Sequence, residues 1–297
     1  MRTLLPLVLA AASLPAFGVT YQVIYRFQGG SDGNSPGNLV SDAAGNLYGT
    51  AMYGGGGSCQ ISGLYPGCGV IFQLTPPAIP GGPWTETTLY TFQGGADGSY
   101  PDPNLVIDTS GNLYGTAAQG GSCAASTSGC GVVFRYCTLC AESANYSVLY
   151  TFQGGADGSG PGGLIHGANG TLIGYTASGG NGCAPLGCGT VFRLTPSGAN
   201  WAKSVIHSFA GAPYWSTNGD GSTPVGVTLD QTGILYGVTS GGGICEGVKG
   251  CHGTLYSVAP DPSSGGYTYS VLHRFAQGSE IPASAPIPDA AGNLYGT

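Results

Sequence analysis

The sequence is poor in charged residues. Only 7% of its 297 residues are Asp, Glu, Lys or Arg, and 14 acids outweigh 7 bases to give a formal net charge of −7. No cluster of Lys and Arg is present, and affinity for nucleic acid depends on such clusters. The composition therefore excludes nucleic acid as an expected partner.

Long apolar runs are also missing. The apolar run at residues 4–12 is too short to cross a bilayer, and no later segment qualifies as a membrane span. Because it follows Arg2 and precedes the small residues Ala16 and Gly18, it is typical of a signal peptide over residues 1–18. A buried strand has a similar pattern, but the position next to Met1 favours a signal peptide. The sequence thus predicts export to a secreted or cell-surface location, with one repeat domain over residues 19–297.

The sequence lacks the common catalytic signatures. It contains no H-E-x-x-H motif and no G-x-S-x-G nucleophile elbow at a strand–helix junction, and its four histidines do not assemble a site. Glycine supplies 57 residues instead, and each costs about 1 kcal/mol relative to alanine inside a helix. With 41% hydrophobic residues, the chain is too apolar to be disordered. Short strands joined by glycine-rich turns are therefore expected.

A long internal repeat organises the chain. The motif Y/H-x-F begins at Tyr25, Tyr90, Tyr150, His207 and His273. These positions divide the sequence into units near 25–89, 90–149, 150–206, 207–272 and a partial unit, 273–297. The motif G-N-L-Y-G-T lies at 45–50, 111–116 and 292–297, in the same place within its units. A repeat of this length indicates an architecture of stacked, similar modules.

Each complete unit contains four predicted strands. In the second unit these are residues 105–108, 112–117, 131–135 and 146–152, which we call strands a, b, c and d. A D-x-x-G-N turn joins a to b, and alternation of polar and apolar residues marks d. Four antiparallel strands per unit of roughly 40–65 residues predict an all-β fold, a β-propeller of four-stranded blades. A β-solenoid is the alternative, but its coils are usually shorter.

The strand count predicts an incomplete ring. A lone strand d at residues 21–27 precedes four full units, and the last unit ends after strands a and b, so about 4.5 blades are expected. The chain ends within a motif that the earlier copies continue. Truncation is therefore the expected explanation.

Several motifs recur in a fixed order: L-Y-x-F, G-G-A-D-G, D-x-x-G-N-L-Y-G-T and G-C-G-x-V-F. This pattern resembles the Gloeo_Verruco (GloVer) tandem repeat of secreted bacterial proteins, with its best copies at residues 89–116 and 149–158. The third and fourth repeats depart from it at 170–176 and 233–239, and the fifth lacks the G-G-A-D-G turn. The resemblance implies an exported, often surface-attached bacterial propeller and no established catalytic activity.

The ten cysteines occur as local pairs. Four pairs fall in the loop between strands b and c, and a fifth follows strand c of the second unit. This placement predicts five disulfides: Cys59–Cys68, Cys123–Cys130, Cys137–Cys140, Cys183–Cys188 and Cys245–Cys251. Zinc binding is the alternative, but only Cys137 and Cys140 have a C-x2-C spacing, and the predicted compartment is oxidising. No metal-ligating set is expected from the cysteines.

Four aspartates recur in the turns that precede strand a: Asp32, Asp97, Asp157 and Asp220. In a four-stranded blade these turns and the cystine loops emerge on one face, so the four carboxylates are expected around one rim of the channel. They are candidate ligands for a cation such as Ca²⁺ or for a polar molecule. The alternative is that each carboxylate accepts backbone N–H bonds within its own turn. The aspartates of the a–b turns, Asp42, Asp108, Asp230 and Asp289, are expected to be structural.

Aromatic residues that interrupt the repeat are the other binding candidates. Tyr214 and Trp215 lie in an insertion, Tyr65 lies in the longest cystine loop, and Tyr100 lies beside a D-G turn. Exposed aromatic rings on a rigid rim stack on sugars or contact a protein partner. The alternative is that they pack under their own loops.

Three hypotheses for function follow. The first is an exported, non-catalytic propeller that binds a glycan, a surface polymer or a protein through its loop rim, without a cofactor. The second is an extracellular carbohydrate-active hydrolase or lyase that uses rim carboxylates. The third is a structural surface array without a ligand. Because propellers host all three, the fold does not choose among them; the absence of a catalytic motif favours binding or structure.

Overall fold

The computed structural model describes residues 21–61, 65–141, 145–183, 186–212, 218–245, 251–276 and 281–297. The predicted signal peptide, residues 1–18, lies outside these ranges and stays a prediction. Within them, no helix is long and apolar enough to cross a membrane. The helical segments described are two 3-10 turns, Gly155–Asp157 and Ala168–Gly170, so the chain is nearly all-β.

The strands form four blades and part of a fifth. Blade 1 contains β1 (Asn34–Pro36), β2 (Val40–Ser41), β3 (Leu47–Tyr53), a small hairpin of β4 (Gln60–Ile61) and β5 (Tyr65–Pro66), β6 (Val70–Thr75) and β7 (Thr85–Thr91). Blade 2 contains β8 (Ser99–Pro101), β9 (Val106–Ile107), β10 (Asn112–Gln119), β11 (Val132–Cys137) and β12 (Tyr146–Thr151). Blade 3 contains β13 (Ser159–His166), β14 (Leu172–Ser178), β15 (Thr190–Ser197) and β16 (Asn200–Ser208). Blade 4 contains β17 (Ser222–Leu229), β18 (Leu235–Gly241), β19 (Thr254–Asp261) and β20 (Gly266–Arg274), and β21 (Ile287–Pro288) and β22 (Leu294–Tyr295) follow.

Strand pairing confirms the predicted propeller of four-stranded antiparallel blades. The sheets run β1-β3-β6-β7, β8-β10-β11-β12, β13-β14-β15-β16 and β17-β18-β19-β20. In blades 1 and 2 strand a is split in two, with β2 beside β3 and β9 beside β10. The last two strands pair with each other as strands a and b of a fifth unit. Strand b of one blade packs on strand a of the next, as β10 does on β13.

The hydrophobic cores lie between blades. The phenylalanine of each of the first four Y/H-x-F motifs packs against an aromatic ring on strand c of the next blade, with ring centroids 5.3 Å apart for Phe92 and Phe134. Phe152 and Phe192 make the same edge-to-face contact at 5.1 Å. One cluster of buried side chains accordingly joins Ile71 of blade 1 to the core residues of blade 2. The Y/H-x-F motif is thus a repeated contact between blades.

The N-terminal segment differs from its prediction. Residues 21–28 form no strand, because no strand c among the described residues lies beside them to complete a ladder. Phe27 nevertheless packs edge-on against Phe72 at 4.7 Å, as the motif phenylalanines of later blades do. A ring contact, rather than strand pairing, therefore holds this segment against blade 1.

The residues of the G-N-L-Y-G-T motif build the blade. In the second copy, Asn112 and Tyr114 both donate to the Asp108 carboxylate, at 2.8 and 3.0 Å. Gly111 takes a φ of 79° in the turn. A Cβ on Gly115 would lie 2.5 Å from Cζ of Phe134, so glycine leaves the space that this ring fills. Equivalent carboxylate bonds occur at Asp42, Asp230 and Asp289, which makes the a–b turn aspartates structural as predicted.

All five predicted disulfides are present: Cys59–Cys68, Cys123–Cys130, Cys137–Cys140, Cys183–Cys188 and Cys245–Cys251. The cystine of one blade lies under the turn that begins the next. A Cβ on Gly94 would lie 2.4 Å from Sγ of Cys59, and a Cβ on Gly211 would lie 2.5 Å from Sγ of Cys183. Glycine at these places lets the turn rest directly on the disulfide.

Candidate functional site

The turn before strand a and the cystine loop of the same blade meet on one rim, as expected. One backbone hydrogen bond joins them in three blades: Gly55 to Gly30 at 2.9 Å, Gly121 to Gly95 at 2.9 Å, and Gly180 to Gly155 at 2.8 Å. Because the turns of blades 2, 3 and 4 also lie against the cystine of the preceding blade, the loops of neighbouring blades form one connected rim.

Asp97 shows how the rim aspartates are used. Its Oδ2 accepts hydrogen bonds from the Tyr90 hydroxyl at 2.9 Å and the Gln93 amide at 2.8 Å, and its Oδ1 accepts from the Gly95 amide at 3.2 Å. Burial, and then the Asp97 carboxylate, raise the pKa of Tyr90, so its hydroxyl remains a donor. The equivalent tyrosine bonds run from Tyr25 to Asp32 at 3.2 Å and from Tyr150 to Asp157 at 2.8 Å.

Asp220 has the same role with a different partner. His207 replaces the tyrosine, and its Nε2 lies 3.3 Å from Oδ2 of Asp220. The Ala210 amide donates to both carboxylate oxygens, at 2.9 and 3.1 Å. The ring of Tyr269, on strand d of blade 4, stacks on the His207 ring at 3.7 Å, and its hydroxyl donates to the Asp220 carbonyl. All four aspartates therefore support their own turns.

One position on strand d faces each of these turns and varies between blades. In blade 2, Tyr146 donates to the Asp97 carbonyl at 2.5 Å. In blade 3, Lys203 donates to the Asp157 carbonyl and forms an ion pair with its carboxylate at 2.8 Å. Burial lowers the pKa of Lys203, and Asp157 opposes that effect. The residue on strand d thus contacts the carboxylate of Asp157 but only the backbone carbonyl of Asp97.

The structure does not gather the rim carboxylates into a cation site. Within the described parts of the chain, no three His, Cys, Asp or Glu side chains lie close enough together to hold a metal ion. Each aspartate belongs to a different blade and already accepts hydrogen bonds. Calcium at the rim stays a prediction, and no contact on this rim supports it.

The predicted rim aromatics have different outcomes. Tyr100 is only 7% exposed and packs edge-on against Tyr53 of blade 1 at 5.8 Å, so it is buried against the neighbouring blade and is not an exposed rim aromatic. Tyr214 and Trp215 lie outside the described residues. The backbone of Tyr65 belongs to β5, and its side chain lies outside the description. Ligand binding by these three residues stays a prediction.

Two equivalent grooves lie on the rim, each between a turn and its own cystine loop. The groove of blade 1 has a volume of about 360 Å³ and is lined by residues 29–31, 54–57 and 66–67. The groove of blade 2 has the same volume, about 360 Å³, and is lined by residues 94–96, 120–123 and 126–129. Their walls are mostly glycine backbone and serine. We call them the rim grooves.

Sequence reasoning missed the rim grooves. Gly30 and Gly95, which line them, seemed to be ordinary turn residues. A Cβ on either would meet no atom within 4 Å, and neither has a positive φ. The sequence does show that a second glycine, Gly30 or Gly95, follows the first glycine of the turn. It does not show that the backbone at these two positions would accept a residue other than glycine.

A further cavity lies where the innermost strands of the blades converge. Its volume is about 490 Å³, and its lining includes Asn38, Asn104, Gly163, Gly226 and Ala285, one from each of the five units. We call it the axial cavity. Sequence reasoning missed it too, because it forms only when residues from all five units converge.

Solved structures similar to this chain include three enzymes. A virginiamycin B lyase from Staphylococcus aureus has a TM-score of 0.48 and 15% identity, covering 90% of this chain and 70% of its own. An α-L-arabinofuranosidase from Lactobacillus brevis has a TM-score of 0.45 and 12% identity, covering 88% and 81%. A xylan β-1,4-xylosidase from Bacillus halodurans C-125 has a TM-score of 0.39 and 14% identity, covering 89% and 44%, so this chain spans less than half of it. Likeness at these identities says nothing about activity.

No curated protein matches the sequence. The Gloeobacter/Verrucomicrobia repeat, in contrast, matches residues 57–297, which is most of the chain. That range includes the cystine loops, the rim turns of blades 2, 3 and 4, and the second and third copies of G-N-L-Y-G-T. The chain therefore belongs to the Gloeobacter/Verrucomicrobia repeat family.

Proposed function

We propose that this protein is a non-catalytic binding propeller whose rim grooves hold successive segments of a neutral polysaccharide. The observation that carries the proposal is the repetition of one groove in blades 1 and 2, formed between the same two loops and with the same volume of about 360 Å³. Equivalent sites on a rigid frame suit a polymer of equivalent units, because each further contact becomes intramolecular and raises the avidity.

The bare glycines of the grooves support this proposal. Most glycines of the rim have a positive φ or lie against another atom, so the fold needs them. Gly30 and Gly95 have neither constraint, and a side chain on either would project into open space. Glycine at such a place is suited to close approach of a ligand to the backbone.

The chemistry of the grooves favours a sugar chain over a peptide. Among the residues that the structure describes, no charged, aromatic or large aliphatic side chain lines either groove. Peptide and protein partners are usually anchored by buried aromatic or Arg side chains in pockets, which these walls do not provide. Backbone groups and the hydroxyls of Ser31, Ser122, Ser126 and Ser128 suit hydroxyl groups of a neutral glycan.

We also propose that the protein acts outside the cytoplasm. Five disulfides in one chain persist in an oxidising compartment and are rare in the cytosol. An extracellular polysaccharide is a ligand that such a location supplies.

The test is binding of the purified chain to soluble arabinoxylan, galactomannan, mixed-linkage β-glucan and xyloglucan, followed by calorimetry with oligosaccharides of increasing length. We expect one neutral polymer to bind, with affinity that rises with chain length. Gly30→Val and Gly95→Val together fill both grooves and should weaken binding at least tenfold, about 1.4 kcal/mol. Gly266→Val, a glycine without positive φ in the outer hairpin of blade 4, is the matched control.

Three outcomes contradict the proposal. Absence of binding to every polymer favours the structural array. Turnover of a polymer by the purified chain, lost on Asp97→Asn, favours the hydrolase or lyase hypothesis. Binding that survives both groove substitutions but falls on Tyr214→Ala and Trp215→Ala assigns the rim site to the aromatic insertion instead.

A further inference from the structure

We propose that the axial cavity is a second binding site, which takes one neutral, hydroxyl-rich molecule of about monosaccharide size. The cavity lies on the inner strands, whereas the rim grooves lie on the loops, and none of their lining residues is shared. Its volume of about 490 Å³ is in the range of small-molecule sites. The inference does not depend on polysaccharide binding at the rim.

One wall of the cavity carries an ordered chain of polar side chains. The Asn38 amide Nδ2 donates to Oδ1 of Asn104 at 2.7 Å, and Nδ2 of Asn104 donates to Oδ1 of Asp102 at 2.9 Å. The Asp102 backbone is itself held, since its carbonyl accepts from the Thr50 hydroxyl at 2.7 Å and its amide donates to the Thr116 carbonyl at 2.9 Å. Both cavity amides are therefore oriented before any ligand arrives.

Asp102 is present because blade 2 departs from the repeat at this point. Blade 1 runs Pro36-Gly37-Asn38-Leu39, whereas blade 2 runs Pro101-Asp102-Pro103-Asn104-Leu105, with one additional residue before the asparagine. Asp102 stands at the place of Gly37, since the Gly37 amide donates to the Thr50 carbonyl and the Asp102 amide donates to the Thr116 carbonyl, both at 2.9 Å. The additional residue is therefore Pro103, and the Asp102 carboxylate, where blade 1 has no side chain, fixes the Asn104 amide. Burial raises the pKa of Asp102, and its bonds from Asn104 oppose that effect. The buried Asp102 carboxylate stands where blade 1 has glycine, and it acts here as a positioning residue for Asn104.

The other three units contribute no side-chain amide to the cavity wall. Where blades 1 and 2 have asparagine, blades 3 and 4 and the fifth unit have Gly163, Gly226 and Ala285. A Cβ on Gly226 would lie 2.7 Å from the Ala285 amide, so the backbones of these two units approach closely. A repeat that placed asparagine in every blade would fill this space. The units therefore differ: blades 1 and 2 contribute oriented amide groups, and the other three units leave open space.

The lining also limits the charge of the ligand. Among the described residues, no Lys, Arg, His, Asp or Glu side chain lines the cavity itself, and the nearby Asp102 carboxylate accepts from the Asn104 amide. Tyr175, which replaces the threonine found at this place in blades 1 and 2, lines it, and burial followed by the nearby Asp102 carboxylate raises the Tyr175 pKa. Its hydroxyl therefore stays protonated. Two amides and one phenol hydroxyl offer donors and acceptors to ligand hydroxyls, and Leu105, Leu164 and Val227 offer an apolar face.

The experiment is saturation-transfer NMR and calorimetry with the methyl glycosides of glucose, galactose, mannose, xylose and arabinose. Glucuronic acid and glucosamine serve as charged probes. We expect saturable binding of at least one neutral glycoside and none of the charged pair. Asn104→Ala should weaken it about tenfold, the scale of one lost hydrogen bond to an oriented group. Ala283→Phe should abolish it by filling the cavity, which Ala283 lines.

Two control variants keep the result specific. Asn200→Ala removes an exposed asparagine of blade 3 far from the axis and should leave the affinity unchanged. Gly95→Val fills a rim groove and should also leave it unchanged, so failure of the rim proposal and failure of the axial proposal are distinguishable. Thermal unfolding of each variant confirms that it is folded.

The proposal is overturned if no neutral glycoside binds at millimolar concentration, or if a charged probe binds as well as the neutral ones. It is also overturned if binding persists in both Asn104→Ala and Ala283→Phe, because the sugar then occupies another site.

Discussion

The residue at one position on strand d differs between blades and determines which contact each rim turn receives. Tyr146 and Tyr269 donate to the turn carbonyl, and Lys203, whose side chain is 3% exposed, pairs with the Asp157 carboxylate. Blade 1 has Glu86 at this place, and a carboxylate has no proton to donate. Glu86 therefore adds a second negative charge beside Asp32.

Glu86→Gln should stabilise the protein at neutral pH. Burial, and then repulsion by Asp32, raise the pKa of Glu86 above its ordinary 4.5, while a bond from Thr88 lowers it. A raised carboxyl pKa means that the folded state disfavours the ionised form, so the wild type is relatively more stable below pH 4.5 and loses this advantage as the pH rises. We expect the glutamine variant to gain roughly 0.5 kcal/mol at pH 7 and nothing at pH 4, measured by urea unfolding.

Asp261→Asn provides the control with opposite sign. Hydrogen bonds from Ser263 and Ser264 lower the pKa of Asp261 to about 2, so its ionised form is favoured in the folded state. Its removal should reduce stability at pH 7, and the loss should shrink as the pH falls toward 2. If both variants shift stability in the same direction at pH 7, the account of Glu86 is wrong.

At the scale of strands and loops, the elements that every blade needs were predictable. The Asp108 turn, the glycine beneath Phe134 and the cystine loops recur because each solves the same packing problem in each blade. Residues 21–27 were predicted as a strand because their alternation matches strand d, yet a strand also needs a ladder partner. The alternation of polar and apolar residues predicts which face of a strand each residue occupies. It does not show whether a neighbouring strand is present to pair with.

The Cys59–Cys68 cystine of blade 1 contacts the turn that begins blade 2, so its loss should also destabilise that turn. Cys59→Ala with Cys68→Ala should destabilise the protein by about 2.5 kcal/mol, the loop-entropy value for a separation of 9 residues. Because the following turn rests on this cystine at Gly94, amide hydrogen exchange should also accelerate at residues 94–98. Mass spectrometry of exchanged peptides measures this effect.

Cys137→Ala with Cys140→Ala is the matched control, since this pair spans 3 residues and closes a smaller loop, worth about 1.5 kcal/mol. It should leave exchange at 94–98 unchanged. Equal acceleration in both double variants would show that the cystine does not specifically support the turn.

At the scale of the whole molecule, the two candidate sites differ in how far each can be predicted from the sequence, because one lies within a blade and the other is formed by the whole ring. The rim grooves are built within a blade and repeat with it, so their glycines recur at a fixed place. The axial cavity depends on residues that differ between blades, with Asn38 and Asn104 facing Gly163, Gly226 and Ala285. These differences form a cavity only when the inner strands of all five units converge. The sequence of one unit does not show that convergence.

The position of the cores between blades also predicts how the molecule unfolds. Phe92 follows blade 1 but is fully buried among residues of blade 2, so neither blade holds a complete core alone. Phe92→Ala should cost about 3–5 kcal/mol, and calorimetry should still show one transition at a lower temperature. Val148→Ala, on an exposed position of strand d in blade 2, should change stability by less than about 0.5 kcal/mol. Two separate transitions in Phe92→Ala would instead mean that the blades unfold as independent units. The aromatic rings between blades would then be contacts between separate domains and not the core of a single domain.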